Sequence, residues 1–361
     1  MRSALSALSA ALLTCCAAYP PFSAAPAADL QPPFNIAPPY LGADVATSIA
    51  LSADRALWLH GDTLVGAFAH GARSFRSMPR NSVALRYANG TIRHAIRAAD
   101  RSNPAHVGFF TPPDAAQWYW PTCLALLAGQ LSVFAMRIEP GPPGLFPFQL
   151  AGTDVLALGA AAALPDDPLA WPAPAITPLP FTSANQTLGN AVGQSADFLY
   201  LLGGCGAGAR EAFMARLPAA AAAAGEWRAL QQWGLGGAWE PMAGAGAPAP
   251  LFDFVPSEAT LTFHEALGAW VILTVNTFLG PTITAHLAPA PEGPWAAADV
   301  YRIPDEQLAG GAFCYAGKVH VELAAAGARE IVFSYMCNTP TISELLNRTD
   351  VYIPQLVRVT Y

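Results

Sequence analysis

A pair of short strands joined by a tight turn recurs five times along the 361-residue chain. Successive copies are 61 to 75 residues apart, counted between the starts of the second strands at Ala56, Leu131, Asp197, Ala269 and Glu330. A hairpin repeated at this spacing is typical of blades arranged around an axis, with two outer strands completing each blade. The chain is therefore predicted to be all-β and to form a five-bladed β-propeller, with a large sandwich or barrel as the alternative.

The first 28 residues have the layout of a signal peptide. Arg2 is followed by an apolar stretch from Ala4 to Ala18 and then by small residues, and this stretch is too short to cross a bilayer. Cleavage is expected between Ala18 and Ala28, which leaves residues 29–361 as a single propeller domain of a catalytic type. The protein is accordingly predicted to be secreted, with no membrane span.

The net charge and the glycosylation motifs agree with an extracellular protein. A net charge of −7 without a basic stripe argues against a nucleic-acid partner, whereas a neutral sugar is compatible with it. Three Asn-x-Thr motifs predict N-glycosylation, at Asn89, Asn185 and Asn347. We expect the chain to act as a monomer.

Four cysteines follow the predicted signal peptide, which permits two disulfide bonds in three pairings. The turn of the last hairpin is centred near residue 326, so facing residues have numbers that sum to about 651. Cys314 and Cys337 satisfy this sum and are predicted to lie opposite one another, within bonding distance. A second bond between Cys123 and Cys205 is left as an open alternative.

The first strand of each propeller blade lines the central channel, so residues just before those strands should crowd one end of it. Reading these positions gives two carboxylates, an amide, an imidazole and an aromatic segment: Asp44, Glu258, Asn190, His320 and Trp120–Cys123. Such polar groups pair with sugar hydroxyls, and aromatic rings stack on sugar faces. The sequence thus predicts a carbohydrate site at one end of the channel.

Asp62 lies in the phrase WLHGDTLVG, where the second strand of the first pair ends in a Gly-Asp-Thr turn. Asp44 and Asp62 are 18 residues apart, a length that takes the chain up one strand and back down the next. Both carboxylates are therefore predicted at the same end of the first blade. The alternative is that Asp62 only forms the turn, through bonds to its own backbone.

These phrases, with others along the chain, resemble a known family. They include Gly42–Asp44, Leu57–Gly66, Arg76–Leu85, Trp118–Pro121, Leu131–Glu139, Ser257–Trp270 and Tyr315–Leu323. The family consists of five-bladed propellers of formerly unknown function, includes endo-D-arabinanases, and is related in fold to arabinanase and β-xylosidase glycoside hydrolases. The resemblance implies that Asp44 and Asp62 are catalytic and that Glu258 is an acid from a later blade. The chain departs from the family at Thr122-Cys123, where a Gly or Asp is common, so no carboxylate role is implied for the second blade.

Further side chains are candidates for binding substrate: Arg76, Asn81, Trp118, Trp120, Asn190 and His320. The polar pair Arg76 and Asn81 follows the Gly-Asp-Thr strand and could bind hydroxyls or hold Asp62. Structural roles are the alternatives, namely salt bridge and turn for that pair, core packing for the tryptophans, and a polar plug of the channel for His320. No His or Cys spacing indicates zinc, so no cofactor is predicted, and a central calcium or sodium ion is not indicated by these residues.

The sequence favours a secreted glycoside hydrolase that acts on a poly- or oligosaccharide, arabinan-like or another furanoside or pyranoside. Glycoside hydrolysis needs one protonated carboxyl at the leaving oxygen and a second, ionised carboxyl. We assign Asp44 as base or nucleophile, Asp62 as acid or positioning carboxylate, and Glu258 to the remaining acid role. The alternatives are a non-catalytic carbohydrate-binding propeller and an extracellular interaction scaffold.

Overall fold

The computed structural model describes residues 19–30, 36–97, 108–143, 147–183, 185–206, 210–275, 280–325 and 327–361. Within these ranges the fold is all-β, with strands β1 to β24 and α-helices of only four to six residues. The α-helices span Ala219–Ala223, Asp305–Leu308 and Ile342–Asn347. Short 3-10 helices span Ala161–Ala163, Pro168–Ala170, Trp227–Ala229, Glu265–Leu267, Ala309–Gly311 and Val321–Leu323. None of the helices in the described ranges has the length and apolar character needed to cross a bilayer.

The described strands form six antiparallel sheets, of which the five with four or five strands are numbered I to V. Sheet I contains β3 (Thr47–Ser52), β4 (Arg55–His60), β7 (Ser82–Tyr87) and β8 (Ile92–Ala95). Sheet II contains β9 (Trp118–Leu127), β10 (Gln130–Pro140), β11 (Phe148–Ala160) and β12 (Ala175–Pro178). Sheet III contains β13 (Gln186–Gln194), β14 (Phe198–Cys205), β15 (Glu211–Pro218), β16 (Gln231–Trp233) and β17 (Trp239–Pro241).

Sheet IV contains β18 (Thr260–His264), β19 (Ala269–Val275), β20 (Thr282–Ala288) and β21 (Ala296–Arg302). Sheet V contains β22 (Phe313–Val319), β23 (Glu330–Asn338), β24 (Gln355–Thr360) and β1 (Ser23–Pro26). A smaller sheet contains β2 (Tyr40–Ala43), β5 (Thr63–Ala69) and β6 (Ala72–Ser77).

Each of sheets I to V starts with one of the hairpins that the sequence predicts. The pairs are β3 with β4, β9 with β10, β13 with β14, β18 with β19, and β22 with β23. The second strands are nearly continuous apolar runs, and every residue of Ala269–Val275 is buried. Such a strand has a neighbour on each side and a packed layer on each face, so both faces need apolar side chains.

The core of the described structure is divided into five clusters, each between two consecutive sheets. Representative pairs are Leu57 and Leu131 between sheets I and II, Phe134 and Leu201 between II and III, Leu202 and Ile272 between III and IV, Leu273 and Phe333 between IV and V, and Val332 and Trp58 between V and I. The first and last sheets therefore pack against each other in the same way as neighbours along the chain.

The first strands of sheets I to V contact one another in succession. Strand β3 contacts β9, β9 contacts β13, β13 contacts β18, β18 contacts β22, and β22 contacts β3. A channel of about 410 Å³ lies between them, and residues of all five strands line it. Thr47 and Ala259 are the first channel-lining residues of their segments, so Asp44 and Glu258, which precede them, lie beyond one end of the channel.

Strand β1 completes sheet V by pairing antiparallel with β24. The strand falls inside the segment 1–28 that the sequence predicts as a signal peptide, and residues 1–18 of that segment lie outside the described residues. Cleavage at the Ala18 end of the predicted range would keep this strand, whereas cleavage at Ala28 would remove it.

A disulfide bond joins Cys314 and Cys337, which face each other on β22 and β23 as the hairpin register predicts. The register then shifts by one residue between Tyr315 and Lys318, where Ala316 has a φ of 58°. Strand β22 ends at Val319 and a 3-10 helix follows.

The two other cysteines of the described chain are not bonded to each other. Cys123 is buried in β9, where its thiol contacts the carbonyl of Gly189 at 3.4 Å, and Cys205 ends β14. The second disulfide that the sequence left open is therefore not formed.

Candidate active site at one end of the channel

Asp44 and Asp62 lie side by side at one end of sheet I. The Asp44 amide donates a hydrogen bond to the Asp62 carbonyl (3.3 Å), and the Gly61 amide donates to the Asp44 carbonyl (3.1 Å). Directly after Asp44, Val45 and Ala46 have φ values of 64° and 56°. This left-handed backbone is costly for residues with a Cβ, most of all a β-branched one, and such strain is concentrated at functional sites. The hairpin thus brings the two aspartates together as the sequence predicts.

Gly61 leaves room for the Asp44 carboxylate. A Cβ on residue 61 would lie 2.2 Å from Asp44 Oδ1 and 2.9 Å from Val45 Cγ2, which is too close for any side chain. Asp44 Oδ1 is shielded from solvent and has no hydrogen-bond partner in the described part of the chain. Asp44 Oδ2 accepts a hydrogen bond from the Tyr315 hydroxyl at 3.0 Å. The glycine of the Gly-Asp-Thr phrase is therefore explained by the carboxylate packed against it.

Both carboxylate oxygens of Asp62 are held by side-chain donors. Arg80 Nη1 donates to Oδ2 and Trp120 Nε1 donates to Oδ1, each at 3.1 Å. The Tyr352 hydroxyl donates to the Asp62 carbonyl at 2.9 Å. The Arg80 guanidinium also lies 4.9 Å from the ring centroid of Trp118, which is buried and packs beneath it. Trp118 therefore supports the arginine and is placed as a core residue.

Glu258 is carried by a turn that Asn190 fixes to sheet III. Asn190 Nδ2 donates to the Pro256 carbonyl at 2.9 Å, and the Ala259 amide donates to the Asn190 carbonyl at 3.2 Å. These bonds lie on either side of Glu258 along the chain. The amide nitrogen of Asn190 therefore positions the turn that carries this carboxyl group, and a role of Asn190 in substrate binding stays a prediction.

The three carboxyl groups influence one another's ionisation. Burial, and then the negative charges of Asp62 and Glu258, raise the pKa of Asp44 well above its usual value. Burial raises the pKa of Glu258 to about 7, while the Lys318 charge opposes this rise and the Asp62 charge adds to it. Burial also raises the pKa of Asp62, and the Arg80 charge acts against this change. Because the three cannot all ionise easily together, the site holds a proton near neutral pH.

Two residues of β22 belong to the site although the sequence reasoning did not select them. Tyr315 donates to Asp44, and burial together with the Asp44 charge raises the pKa of its hydroxyl. Lys318 is 1% exposed, and its ammonium donates to the carbonyls of Thr122 (2.7 Å) and Ala259 (2.9 Å). One sequence signal was available, since Lys318 is the only lysine in a chain with 17 arginines.

The structure separates the predicted pair Arg76 and Asn81 from the site. Arg76 is exposed on β6, and Arg80 takes the position beside Asp62. Asn81 is fully buried, donates to the carbonyls of Phe110 and Tyr119, and accepts from the Phe110 amide. All of its hydrogen-bonding groups are engaged with backbone, so it ties this loop to sheet II and is not available to a ligand.

His320, which the sequence placed in the ring of site residues, also lies elsewhere. It is fully buried, with Nδ1 at 2.6 Å from Ser48 Oγ, Nε2 at 2.8 Å from Ser334 Oγ, and its ring stacked on Trp58 at 4.2 Å between centroids. Burial lowers the pKa of its imidazole to about 3, so the ring is neutral. Its neighbour Val319 ends β22 and lines the channel, whereas His320 follows the strand and lies between sheets I and V.

Residues 34–361 match the family described as "Domain of unknown function (DUF5005)". The chain belongs to the DUF5005 family. Family membership assigns no activity by itself, and no curated protein matches this DUF5005 chain in sequence.

Solved structures resemble the DUF5005 chain in fold. A protein of Bacteroides ovatus ATCC 8483, provisionally assigned as a hydrolase, superimposes with a TM-score of 0.73 at 15% identity, covering 94% of this chain and 90% of that one. An α-L-arabinofuranosidase from Podospora anserina has a TM-score of 0.48 at 10% identity, covering 89% and 91%. A xylan β-1,4-xylosidase from Bacillus halodurans C-125 has a TM-score of 0.46 at 11% identity, covering 85% and 51%. The first likeness establishes a shared fold, and the other two scores are too low to support an argument.

Aromatic rings lie on two sides of the carboxyl cluster in this DUF5005 chain. Trp120, which donates to one aspartate, packs edge to face against Phe148 with 4.6 Å between ring centroids. Tyr315, which donates to the other, stacks with Phe313 at 6.0 Å. Trp120 and Phe313 are only partly buried, so both offer ring surface beside the acids.

The three predicted glycosylation sites of the DUF5005 chain are exposed, at Asn89, Asn185 and Asn347. Attachment of glycans to them stays a prediction. Across the described ranges, no group of three or more His, Cys, Asp or Glu side chains is arranged to hold a metal ion.

Proposed function

We propose that this protein is a secreted glycoside hydrolase with a five-bladed propeller fold, whose active site is the cluster of Asp44, Asp62 and Glu258. The five-blade arrangement is supported by the five sheets, by the core clusters between consecutive sheets, and by the succession of contacts among their first strands. The functional proposal depends on one observation, namely that backbone hydrogen bonds join Asp44 to Asp62 at the end of the channel, where side-chain donors hold both carboxylates and the charge of the distant Glu258 also acts on Asp44.

Glu258 is proposed as the general acid. Glycoside hydrolysis requires a carboxyl group that is still protonated at working pH and can donate to the leaving oxygen. Burial holds the pKa of Glu258 at about 7, so this group is mostly protonated below that pH and ionised above it. The raised value is therefore in the range that suits a proton donor near neutrality.

Asp44 is proposed as the base or nucleophile, and Asp62 as a positioning carboxylate. The hydrogen bond from Tyr315 to Asp44 Oδ2 stabilises the ionised form of Asp44. Burial still raises the pKa of Asp44, so its ionised form should increase with pH and give kcat/KM an acid limb. Asp62 is less suited to proton transfer because both of its oxygens already accept hydrogen bonds from side chains.

The proposed substrate is a neutral poly- or oligosaccharide, arabinan-like or another furanoside or pyranoside. The rings of Trp120 and Phe313 are placed beside the acids where sugar faces could stack. A net charge of −7 is compatible with a neutral ligand. The proposed extracellular location is supported by the Cys314–Cys337 disulfide and by the exposure of the three glycosylation motifs.

Asp44→Asn is the decisive test, because it keeps the size of the side chain and removes its charge. We expect turnover, measured as reducing ends released from a panel of arabinans and other furanoside and pyranoside polymers, to fall by roughly 100- to 10,000-fold. Asp197→Asn is the matched control, since Asp197 is exposed and lies 61 or more residues from each acid of the cluster in sequence, and it should leave turnover unchanged. Full activity of Asp44→Asn would show that the assignment is wrong.

Two further measurements separate the alternatives. Binding on a glycan array without release of product by the wild-type protein would favour the non-catalytic carbohydrate-binding propeller, and no binding at all would favour the scaffold. If Glu258 is the acid, kcat/KM of the active wild type should decrease as pH rises through about 7, because the donor loses its proton there. Glu258→Gln should remove this limb of the profile together with most of the activity.

A further inference from the structure

Lys318 is a buried cation whose partners belong to other sheets. Its ammonium bonds to the carbonyl of Thr122 in sheet II and to the carbonyl of Ala259, next to the first strand of sheet IV, while Lys318 itself is in sheet V. Burial of an ammonium group is costly unless hydrogen bonds and opposite charge compensate for it. The residue is also unusual in this sequence, because it is the one lysine beside 17 arginines.

The Lys318 side chain reaches across the ring of first strands. Strand β22 contacts β18 and β3, whereas Thr122 lies on β9, which is separated from β22 by β3. Thr122 is itself tied onward, because its hydroxyl donates to the Gly189 carbonyl of β13 at 2.6 Å. The ammonium therefore lies near the centre of the ring of first strands, between the carboxyl cluster and the channel. Its hydrogen bonds link sheets II, IV and V there.

Both hydrogen bonds of Lys318 end beside residues of the proposed active site. Thr122 follows Trp120 by two residues on β9, and Ala259 directly follows Glu258. The charges of Lys318 and Asp62 affect the pKa of Glu258. The charge of Glu258 in turn raises the pKa values of Asp44 and Tyr315. Glu258 and Cys123 are the titratable groups that affect the pKa of Lys318, and the Lys318 charge in turn helps to lower the pKa of His320.

We propose, on the basis of the proposed function, that Lys318 is a positioning residue. It fixes the strand of Trp120 and the turn of Glu258 around the axis, and it supplies the fixed positive charge against which Glu258 gains and loses its proton. A lysine suits this place better than an arginine because a compact ammonium can bond to two carbonyls and still present a third N–H. The same ammonium makes the position unsuitable for a central calcium or sodium ion, since it already uses both carbonyls and would repel a second cation.

The test is a direct titration of Glu258 in the full-length protein by NMR with isotope-labelled glutamate carboxyl groups. Glu258→Gln identifies the signal by its disappearance. In Lys318→Met the titration midpoint of Glu258 should rise by about one pH unit or more, because the carboxylate loses a neighbouring positive charge. In Lys318→Arg, which keeps the charge, the titration midpoint of Glu258 should stay within about half a pH unit of the wild-type value. An unchanged midpoint in Lys318→Met would overturn the proposal.

A reciprocal measurement covers the case in which Lys318→Met does not fold. Labelling lysine gives a single side-chain signal, since the chain has one lysine. The coupling between two groups is mutual, so the midpoint of Lys318 should fall in Glu258→Gln relative to wild type, and no change would overturn the proposal.

Neither titration needs turnover, so the two proposals can fail separately. If the protein is a hydrolase, Lys318→Met should also shift the alkaline limb of kcat/KM upward by the same amount as the carboxyl midpoint, with KM nearly unchanged. Shifted titrations without wild-type turnover would reject the hydrolase and retain the charge coupling. Turnover with unshifted titrations would reject the role of Lys318 and retain the hydrolase.

Discussion

Gly61→Ala tests whether the proposed reaction needs Asp44 in its present position. The added Cβ would lie 2.2 Å from Asp44 Oδ1, and Cβ atoms essentially never approach another atom within 3.0 Å. The atom that must yield is the end of a side chain, so the carboxylate should move by about 1 Å while the backbone stays in place. Gly61 does not have a left-handed φ, so alanine adds no backbone strain there.

The two consequences of this substitution should differ in size. Overpacking that a side chain can relieve should lower the free energy of unfolding by only about 1 kcal/mol, the lower end of the usual range. A displacement of about 1 Å in a reacting group can reduce the rate by about 100-fold. We therefore expect kcat/KM for polysaccharide hydrolysis to fall by about two orders of magnitude in a protein that unfolds in urea nearly as the wild type does.

Gly236→Ala is the matched control, because a Cβ on Gly236 would have nothing within 4 Å and Gly236 also lacks a left-handed φ. It should change neither quantity measurably. Wild-type kcat/KM in Gly61→Ala would refute the argument that the packing of Asp44 against Gly61 sets the geometry of the reaction. A loss of stability as large as the loss of activity would show instead that the sheet is disrupted.

Three other substitutions test the site and its surroundings. Trp120→Phe keeps an aromatic ring but removes the donor to Asp62. A hydrogen bond to a charged group contributes about 1.5–3 kcal/mol, so kcat/KM should fall roughly 10- to 100-fold. Unchanged kcat/KM would contradict a role of Trp120 in holding Asp62. Asn81→Ala should lower the free energy of unfolding in urea by about 2–3 kcal/mol because buried backbone groups lose their partners, whereas exposed Arg76→Ala should change it by less than about 0.5 kcal/mol and leave KM unaltered. A raised KM in Arg76→Ala would restore that arginine to the binding site.

Features that follow from the period of a β-hairpin could be predicted from the sequence. The apolar second strands and their turn-rich spacers located the five hairpins, because a strand packed on both faces needs a continuous apolar run. The length between Asp44 and Asp62 predicted their proximity, because two paired strands return the chain to its starting level. The same reasoning paired Cys314 with Cys337, although the register shifts immediately after Cys314 and Tyr315.

Features that depend on which face a side chain takes could not be predicted. Neighbouring residues of a strand point to opposite faces of the sheet, but the sequence does not say which face is buried. A one-residue shift in register exchanges the two faces for every residue that follows. One-residue shifts occur in β9 and in β22, and β13 has a two-residue shift, all within the ring of first strands. The sequence also did not show that β22 ends at Val319, so His320 was placed in the site and Lys318 was overlooked, although they are two residues apart.

The sequence by itself determined the all-β architecture, the succession of hairpins and the grouping of two aspartates, because these depend on local period and chain length. Only the tertiary structure decided that Arg80 rather than Arg76 holds Asp62, that Asn81 serves the backbone, and that one lysine reaches across the axis. Those choices depend on distances between strands that are remote along the chain, and they are set by packing and irregular register, which local sequence patterns do not encode.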